Sequence, residues 1–250
     1  MKAIISAAGW KGAGVLLGLG QIPEPFLPLG DGTTTLSRTA TTLSENGHEV
    51  YIAVGEKGYP YSRYIRWTAE CPLPLPGFPA DFPWDGSPWT DERLSYAADL
   101  GTVVQMPDPG GWTTSLDTFC ETMDWLGEEQ WDDLFLACGD MFVPRDCLEF
   151  ILALETPFIF SFTAYHNYYG LDLAGAQFFR KYSEDFRRFR DERSWKRDKA
   201  MAPGHLGSVA LRENGFSVHG HDIAPPHVWS DIDYKETYAD VLKMAAARKA

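Results

Sequence analysis

Short apolar runs alternate with helix-forming segments along most of the chain, and this alternation restricts the fold more than any other feature. The runs cover residues 2–7, 50–54, 102–106, 134–138 and 158–163, and the first of them ends in small residues. Such runs are typical of strands that are buried on both faces of a parallel sheet. Because helices intervene, right-handed crossovers are expected. The sequence therefore predicts an α/β fold, with one mostly parallel, Rossmann-like sheet flanked by helices.

Capping signals mark where the intervening helices begin and end. Residues 33–46 have helix-forming content and close with Asn46-Gly47, a stop signal. Thr90 or Asp91 is expected to cap a helix that ends near Asp99. Further helices are predicted through residue 66, over residues 113–126, after Pro144, over residues 173–199 and over residues 234–247, with short strands near residues 208–211 and 216–219.

The chain is interpreted as a single domain over residues 1–250, because 250 residues are enough for one large α/β core. Residues 71–89 contain six prolines and several aromatic residues, which predicts an ordered loop insertion. Residues 173–199 are predicted to form a basic helical segment, since Tyr182, Phe186 and Phe189 fall on one helical face.

The overall charge limits the classes of partner. With 22 Lys and Arg against 35 Asp and Glu, the formal charge is −13, which disfavours nucleic acid and anionic membranes. No apolar run has the length needed to cross a bilayer. The four cysteines lack CxxC spacing, which indicates reduced thiols and a cytoplasmic protein. The basic residues within 180–199 form either a solvated helix face or a local phosphate site.

Three informative segments directly follow predicted strands: Ala8-Gly9, Gly55 and Gly139-Asp140. In open parallel sheets, ligands bind at the carboxyl ends of the strands, so we expect these segments to share one site. The glycine-rich loop over residues 8–14 could present backbone N–H groups to a triphosphate, although the loop alone is more typical of a structural turn.

Carboxylates near this edge are candidate metal ligands. Asp140 follows a buried strand, and Mg²⁺ takes one or two carboxylates and completes its coordination with phosphates and water. Asp231 and Asp233 share one face of an extended segment, so either could be a second ligand. For all three residues the alternative is a helix-capping role.

Several segments, in order, resemble the opening and the later motifs of the sugar-phosphate nucleotidyltransferases and cytidylyltransferases. The segments are Ala3-Ile4-Ile5-Ser6-Ala7-Ala8-Gly9, Pro25-Phe26-Leu27-Pro28-Leu29-Gly30, Val54-Gly55-Glu56-Lys57-Gly58, Gly111-Trp112-Thr113-Thr114-Ser115-Leu116, Leu136-Ala137-Cys138-Gly139-Asp140 and Ser230-Asp231-Ile232-Asp233-Tyr234. The resemblance implies transfer of a nucleoside monophosphate from a nucleoside triphosphate to a sugar-1-phosphate or similar phosphomonoester, with release of pyrophosphate.

The resemblance also implies roles for individual residues, with Mg²⁺ or Mn²⁺ as cofactor. The catalytic residues would be Lys11 and Asp140, and the metal ligands Asp140, Asp231 and Asp233. The nucleotide would be bound by Ala7, Ala8, Gly9, Gly12, Thr114, Ser115 and Gly139. The phosphorylated acceptor would be bound by Arg180, Lys181 and Arg187.

Two departures from the family pattern keep other functions open. Glu24 stands where the family has a lysine that contacts phosphate, and Lys11 is the only cation where the family has a loop arginine. Exchanging a cation for a carboxylate reverses the local electrostatics. The alternatives are a metal-dependent glycosyltransferase of related fold and a non-catalytic nucleotide-binding or regulatory homologue. The base, the acceptor and the oligomeric state, including a homo-oligomer, are left open.

Overall fold

The computed structural model of the chain describes residues 1–8, 17–57, 87–106, 115–130, 134–153, 158–162, 166–168, 171–173, 177–181, 218–221, 230–232 and 235–247. The helix predicted through residue 66, the strand predicted near residues 208–211 and most of the loop predicted over residues 71–89 lie outside these residues. Within the described part, no helix is both long and apolar enough to cross a membrane.

A seven-stranded sheet organises the structure. Its strands, in chain order, are β1 (Lys2–Ser6), β2 (Glu49–Gly55), β3 (Thr102–Met106), β4 (Leu134–Cys138), β6 (Phe158–Phe162), β9 (Gln177–Lys181) and β10 (Val218–His221). Their order across the sheet is β10-β6-β9-β4-β1-β2-β3. All neighbouring pairs are parallel except the two that β9 makes with β4 and β6. The predicted mostly parallel α/β sheet is confirmed.

The central strand β1 sets the register of its neighbours. Ser6 pairs with Ala53 of β2 and with Cys138 of β4, so the carboxyl ends of these strands reach the same edge. Alternate residues point to opposite faces of the sheet, and Ile4 and Ile5 are both completely buried. A strand that is apolar on both faces must be shielded from water on both sides, and the sequence predicts helices on both faces of the sheet.

Five described helices flank the sheet: α1 (Thr35–Glu45), α2 (Asp91–Ala98), α3 (Ser115–Leu126), α4 (Arg145–Leu152) and α5 (Lys235–Ala247). Leu36 of α1 and Leu148 of α4 share one core with Ile5. On the other face, Trp125 of α3 packs edge-on against Tyr51, with ring centroids 6.1 Å apart. These helices match the predicted ones to within a few residues.

Local capping explains the limits of α1. Thr34 and Ser37 form a capping box, in which each side chain accepts a hydrogen bond from the backbone N–H of the other. The helix ends at Asn46, and Gly47 follows with a φ of +78°, a conformation that glycine adopts without strain. The stop signal read from Asn46-Gly47 is therefore confirmed.

The structure also contains two small antiparallel pairs. Strand β5 (Met141–Phe142) pairs with β11 (Ser230–Asp231), and β7 (His166–Tyr168) pairs with β8 (Leu171–Leu173). Strands of two or three residues carry no measurable periodicity, so the sequence did not predict these pairs.

The predicted helix over residues 173–199 is wrong where the structure describes it. Residues Gln177–Lys181 form strand β9, which lies between β4 and β6 and pairs with both in antiparallel fashion. The adjacent aromatic residues Phe178 and Phe179 favour a strand, but the pairing partners that decide the matter are distant in the sequence. Residues 182–199, with the aromatic face that suggested a helix, lie outside the described part.

Candidate active site

The carboxyl ends of β1, β2 and β4 meet at one edge of the sheet and define the candidate site. The chain leaves β1 at Ser6 and continues into Ala7, whose N–H donates to the carbonyl of Ala53 at 2.8 Å. On the other side, the N–H of Gly139 donates to the carbonyl of Ser6, also at 2.8 Å. The segment after β1 is thus held between the ends of its two neighbours.

Gly139 is at this edge because no larger residue fits there. A Cβ atom at this position would lie 2.9 Å from the carbonyl oxygen of Ser6 and 3.3 Å from the Cβ of Ala7. The obstacle is backbone, which cannot rotate away like a long side chain. The glycine therefore allows the end of β4 to lie directly against the end of β1.

Asp140 and Asp231 lie on neighbouring backbone segments. Asp140 is partly exposed and directly precedes β5, and Asp231 of β11 pairs with Met141 of β5. The N–H of Ile232 donates to the carbonyl of Asp140 at 3.2 Å. Two segments about 90 residues apart in sequence are thereby brought together at the carboxyl edge.

Helix α1 contacts this arrangement through Thr35. Thr35 is completely buried, and its hydroxyl donates to the carbonyl of Gly139 at 2.7 Å. The same hydroxyl oxygen lies 3.4 Å from the carbonyl oxygen of Pro25. Pro25 belongs to a short 3-10 helix, Glu24–Phe26, in which Glu24 is only 1% exposed. Glu24 therefore lies within the protein rather than on an open face of the site.

A charged cluster supports the same end of α1. Arg38 donates to Asp31 and, at 2.9 Å, to the hydroxyl of Thr33, and its guanidinium lies 5.3 Å from the ring centroid of Phe142. Burial acts to raise the pKa of Asp31, but hydrogen bonds from Thr33 and the ion pair with Arg38 outweigh it and lower the pKa to about 2. Asp31 is therefore charged at any ordinary pH.

A cluster of aromatic side chains packs over the end of β2, next to the site. Trp89 is 1% exposed and covers Gly55, where a Cβ atom would lie only 1.8 Å from its indole nitrogen. Phe26 packs edge-on against Trp89 at 6.0 Å and is also 6.0 Å from the ring of Tyr96. The indole thus fills the space over Gly55 at the end of β2.

Several solved structures share this architecture. A proposed glucose-1-phosphate thymidylyltransferase from Bacillus anthracis, in complex with sucrose, matches with a TM-score of 0.58 and 10% identity, over 98% of this chain and 95% of the other. The inositol-1-phosphate CTP transferase from T. maritima matches with a TM-score of 0.56 and 15% identity, over the same shares of the two chains. The chain has the fold of the sugar-phosphate nucleotidyltransferases.

A third structure with this nucleotidyltransferase fold is HddC from Yersinia pseudotuberculosis, at a TM-score of 0.51 and 12% identity, over 97% of this chain and 98% of that one. HddC has also been solved in complex with GMP-PN, with the same scores. No protein-family model matches the chain, and no curated protein matches it significantly. The resemblance drawn from the sequence segments is confirmed for the fold.

Within the nucleotidyltransferase fold, several of the residues expected at the site lie at one edge. Ala7, Ala8, Gly139 and Asp140 follow β1 or β4, and the backbone of Asp231 is adjacent. Ser115 is the first residue of α3, the helix that follows the carboxyl end of β3. The remaining candidates lie outside the described residues: Lys11, Gly9, Gly12, Thr114, Arg187 and Asp233.

The strand register places the backbone of Arg180 and Lys181 away from this edge. Arg180 pairs with Phe135 and Lys181 with Leu134, at the amino end of β4, whereas Asp140 lies beyond its carboxyl end. At about 3.3 Å per residue, the backbone of Arg180 is roughly 15 Å from that of Asp140 along the strand. The prediction assumed a helix over these residues, whereas their backbone belongs to β9 and lies toward the opposite edge.

The carboxylates at the site are compatible with magnesium. Among the described residues, no group of three or more His, Cys, Asp or Glu side chains could enclose a metal ion. Mg²⁺ does not require such a group, since it keeps several waters and is bound by one or two carboxylates together with substrate phosphates. Asp140 is a carboxylate at this edge and the backbone of Asp231 lies on the adjoining strand, so the residue types present fit this mode of binding.

The sequence did not predict the contacts that three residues make at the site. These residues are Thr35, Arg38 and Trp89, whose ring packs over Gly55. Thr35 bonds across 104 positions of sequence, and nothing local distinguishes it from its neighbouring threonines. Trp89 was recognised only as part of an aromatic-rich segment. Their contacts depend on which elements pack together, which a local pattern does not encode.

Proposed function

We propose that the chain is a nucleotidyltransferase that transfers a nucleoside monophosphate from a nucleoside triphosphate to a sugar-1-phosphate or a similar phosphomonoester. The observation that carries this proposal is the convergence of Ala7-Ala8, Gly139-Asp140 and Ser230-Asp231 at the carboxyl edge of the sheet. The proteins that share the fold include a proposed thymidylyltransferase and a CTP transferase, which support this class of reaction.

In the proposed reaction, a phosphate oxygen of the acceptor attacks the α-phosphorus of the triphosphate. The new P–O bond forms as the bond from the α-phosphorus to the oxygen that bridges to the β-phosphorus breaks, and pyrophosphate leaves. Such a transfer depends chiefly on alignment and on charge neutralisation.

We assign the chain's own residues the roles that the family resemblance implies. Backbone N–H groups of the segment that begins at Ala8 would bind the triphosphate, with Lys11 as the nearest cation, and the segment at Thr114 and Ser115 would contact the base or ribose. Asp140, with Asp231 or Asp233, would hold Mg²⁺ or Mn²⁺, which supplies positive charge against the phosphates.

A second candidate function is nucleotide binding without catalysis. It is favoured by Glu24, a buried carboxylate at the position where the resembling family has a phosphate-contacting lysine. A protein of this kind would bind a nucleoside triphosphate and release no pyrophosphate. A metal-dependent glycosyltransferase, the other alternative, would consume a nucleotide sugar and also form no pyrophosphate.

The test is pyrophosphate release from a panel of nucleoside triphosphates and sugar-1-phosphates, with and without Mg²⁺. We expect Mg²⁺-dependent release with the wild type and a loss of about 100-fold or more in Asp140→Asn, since the change removes charge at the proposed metal site. Asp240→Asn is the matched control, because Asp240 is exposed on α5 and pairs with Lys243. Full activity in Asp140→Asn would contradict the assigned role, and metal-dependent nucleotide binding without release would favour the non-catalytic function.

A further inference from the structure

The hydroxyl of Thr35 holds the peptide unit that leads into Asp140. Thr35 is completely buried, and its Oγ1 donates to the carbonyl of Gly139 at 2.7 Å, the usual distance for a hydroxyl donor. A hydroxyl has one proton to donate, and the carbonyl of Pro25, at 3.4 Å, is the weaker acceptor. The hydrogen bond to Gly139 is therefore the main interaction of this side chain.

Gly139 is held from two sides. Its N–H donates to the carbonyl of Ser6 at 2.8 Å, and its carbonyl accepts from Thr35. The carbonyl of Gly139 and the nitrogen and Cα of Asp140 lie in one planar peptide unit. Thr35 thus fixes the plane from which the Asp140 side chain departs.

Asp140 is also held on its far side. Its own carbonyl accepts from the N–H of Ile232 at 3.2 Å, which links it to the strand that carries Asp231. Both peptide units that flank Asp140 are therefore hydrogen bonded, one to α1 and one to the segment after β11. The relative placement of Asp140 and Asp231 depends on these two bonds.

The helix that carries Thr35 is itself fixed at this end. The capping box of Thr34 and Ser37 closes its first turn, and Arg38, paired with Asp31, lies against the ring of Phe142 in β5. These contacts fix the first turn of α1, and with it the position of Thr35 relative to Gly139.

We propose that Thr35 is a positioning residue, which acts through Gly139 to fix the backbone from which the Asp140 side chain departs, for binding of a divalent metal. This inference rests on the proposed function, since it assumes that the two carboxylates bind a metal. Partners of this kind, one step removed from the metal, typically contribute about 10- to 100-fold in metal affinity.

The test compares three variants of buried threonines on α1. Thr35→Val removes the hydroxyl at nearly constant volume, and Thr35→Ser retains it. Thr42→Val is the matched control: Thr42 is buried on the same helix, but its hydroxyl donates to the carbonyl of Arg38 within that helix, at 2.9 Å. Mn²⁺ alone is the probe, titrated by electron paramagnetic resonance. We expect Thr35→Val to weaken Mn²⁺ binding about 10- to 100-fold, and Thr35→Ser and Thr42→Val to retain it.

Amide hydrogen exchange at Ile232 provides a readout that needs no metal, because this N–H is bonded to the carbonyl of Asp140. Faster exchange in Thr35→Val, but not in Thr42→Val, would support the positioning role. Mn²⁺ binding and Ile232 exchange that both survive Thr35→Val unchanged would overturn that role alone. Absence of Mn²⁺ binding to the wild type, both alone and with a nucleoside triphosphate present, would instead overturn the metal site of the proposed function, on which the inference rests.

Discussion

At the scale of single residues, Asp31 is a carboxylate whose surroundings keep it charged. Its side chain is 7% exposed and accepts hydrogen bonds from the N–H and hydroxyl of Thr33 and from Arg38. Burial alone would favour the neutral acid, yet these donors favour the anion and lower the pKa to about 2. The ion pair therefore stabilises the start of α1, where Arg38 also contacts Phe142.

We predict that Asp31→Asn lowers the free energy of unfolding by about 1–2 kcal/mol near neutral pH. The folded-state pKa lies below the unfolded value of about 3.9, so the stabilisation is present above that value and is lost as the pH falls toward about 2. Urea unfolding of the wild type and the variant at a series of pH values measures this difference.

The control for this prediction is Asp240→Asn, whose parent carboxylate is exposed and pairs with Lys243 on the surface. This variant should differ little from the wild type at any pH, because exposed ion pairs contribute little to stability. A difference for Asp31→Asn that stays constant from neutral to acidic pH would contradict the assigned cause.

At the scale of elements, the turn after β2 is packed against the segment that enters α2. Trp89 lies immediately before the cap residue Thr90, and its ring covers Gly55 at the end of β2. Lys57 pairs with Asp91 across the same junction, at 2.6 Å, but both side chains are exposed. The buried indole, rather than the ion pair, is expected to hold these two elements together.

This packing predicts strong coupling between Gly55 and Trp89. Gly55→Ala should destabilise the wild type by about 1–3 kcal/mol, because the new methyl group meets the indole. In a Trp89→Ala background the space is open, and the same change should cost far less. A double-mutant cycle in urea unfolding measures this coupling, and strictly additive effects would contradict the described contact.

At the scale of the whole molecule, the net charge of −13 opposes the approach of an anionic nucleotide. A site for a triphosphate on such a protein needs local compensation, from backbone N–H groups, a metal ion or nearby cations. The described part of the edge contributes carboxylates and backbone, so long-range repulsion should remain measurable.

We predict that kcat/KM for the nucleoside triphosphate rises as salt is raised from about 0.01 M to about 0.15 M, since the screening length shortens from about 30 Å to about 8 Å. Initial rates at fixed Mg²⁺ activity and varied KCl measure this dependence. A fall in kcat/KM over the same range would show that a local positive field, such as one from the basic residues within 180–199, outweighs the net charge.

The sequence by itself determined the features that depend on neighbouring residues. Apolar runs predict the strands β1 to β4. The stop signal at Asn46-Gly47 predicts the end of α1, and Thr90 was one of the two residues expected to cap α2. The expectation that Gly139-Asp140 lies at the carboxyl edge followed from the same reasoning, because a parallel sheet brings strand ends to one side.

Only the tertiary structure decided the features that depend on distant partners. Strand β9 is inserted antiparallel between β4 and β6, which places the backbone of Arg180 and Lys181 toward the opposite edge. The pairing of β5 with β11 brings Asp231 beside the turn at Asp140, and Thr35 reaches Gly139 across 104 positions. Local patterns report propensity and burial, whereas these contacts arise from which strands pair and which helix packs over them, and that choice is made by the fold as a whole.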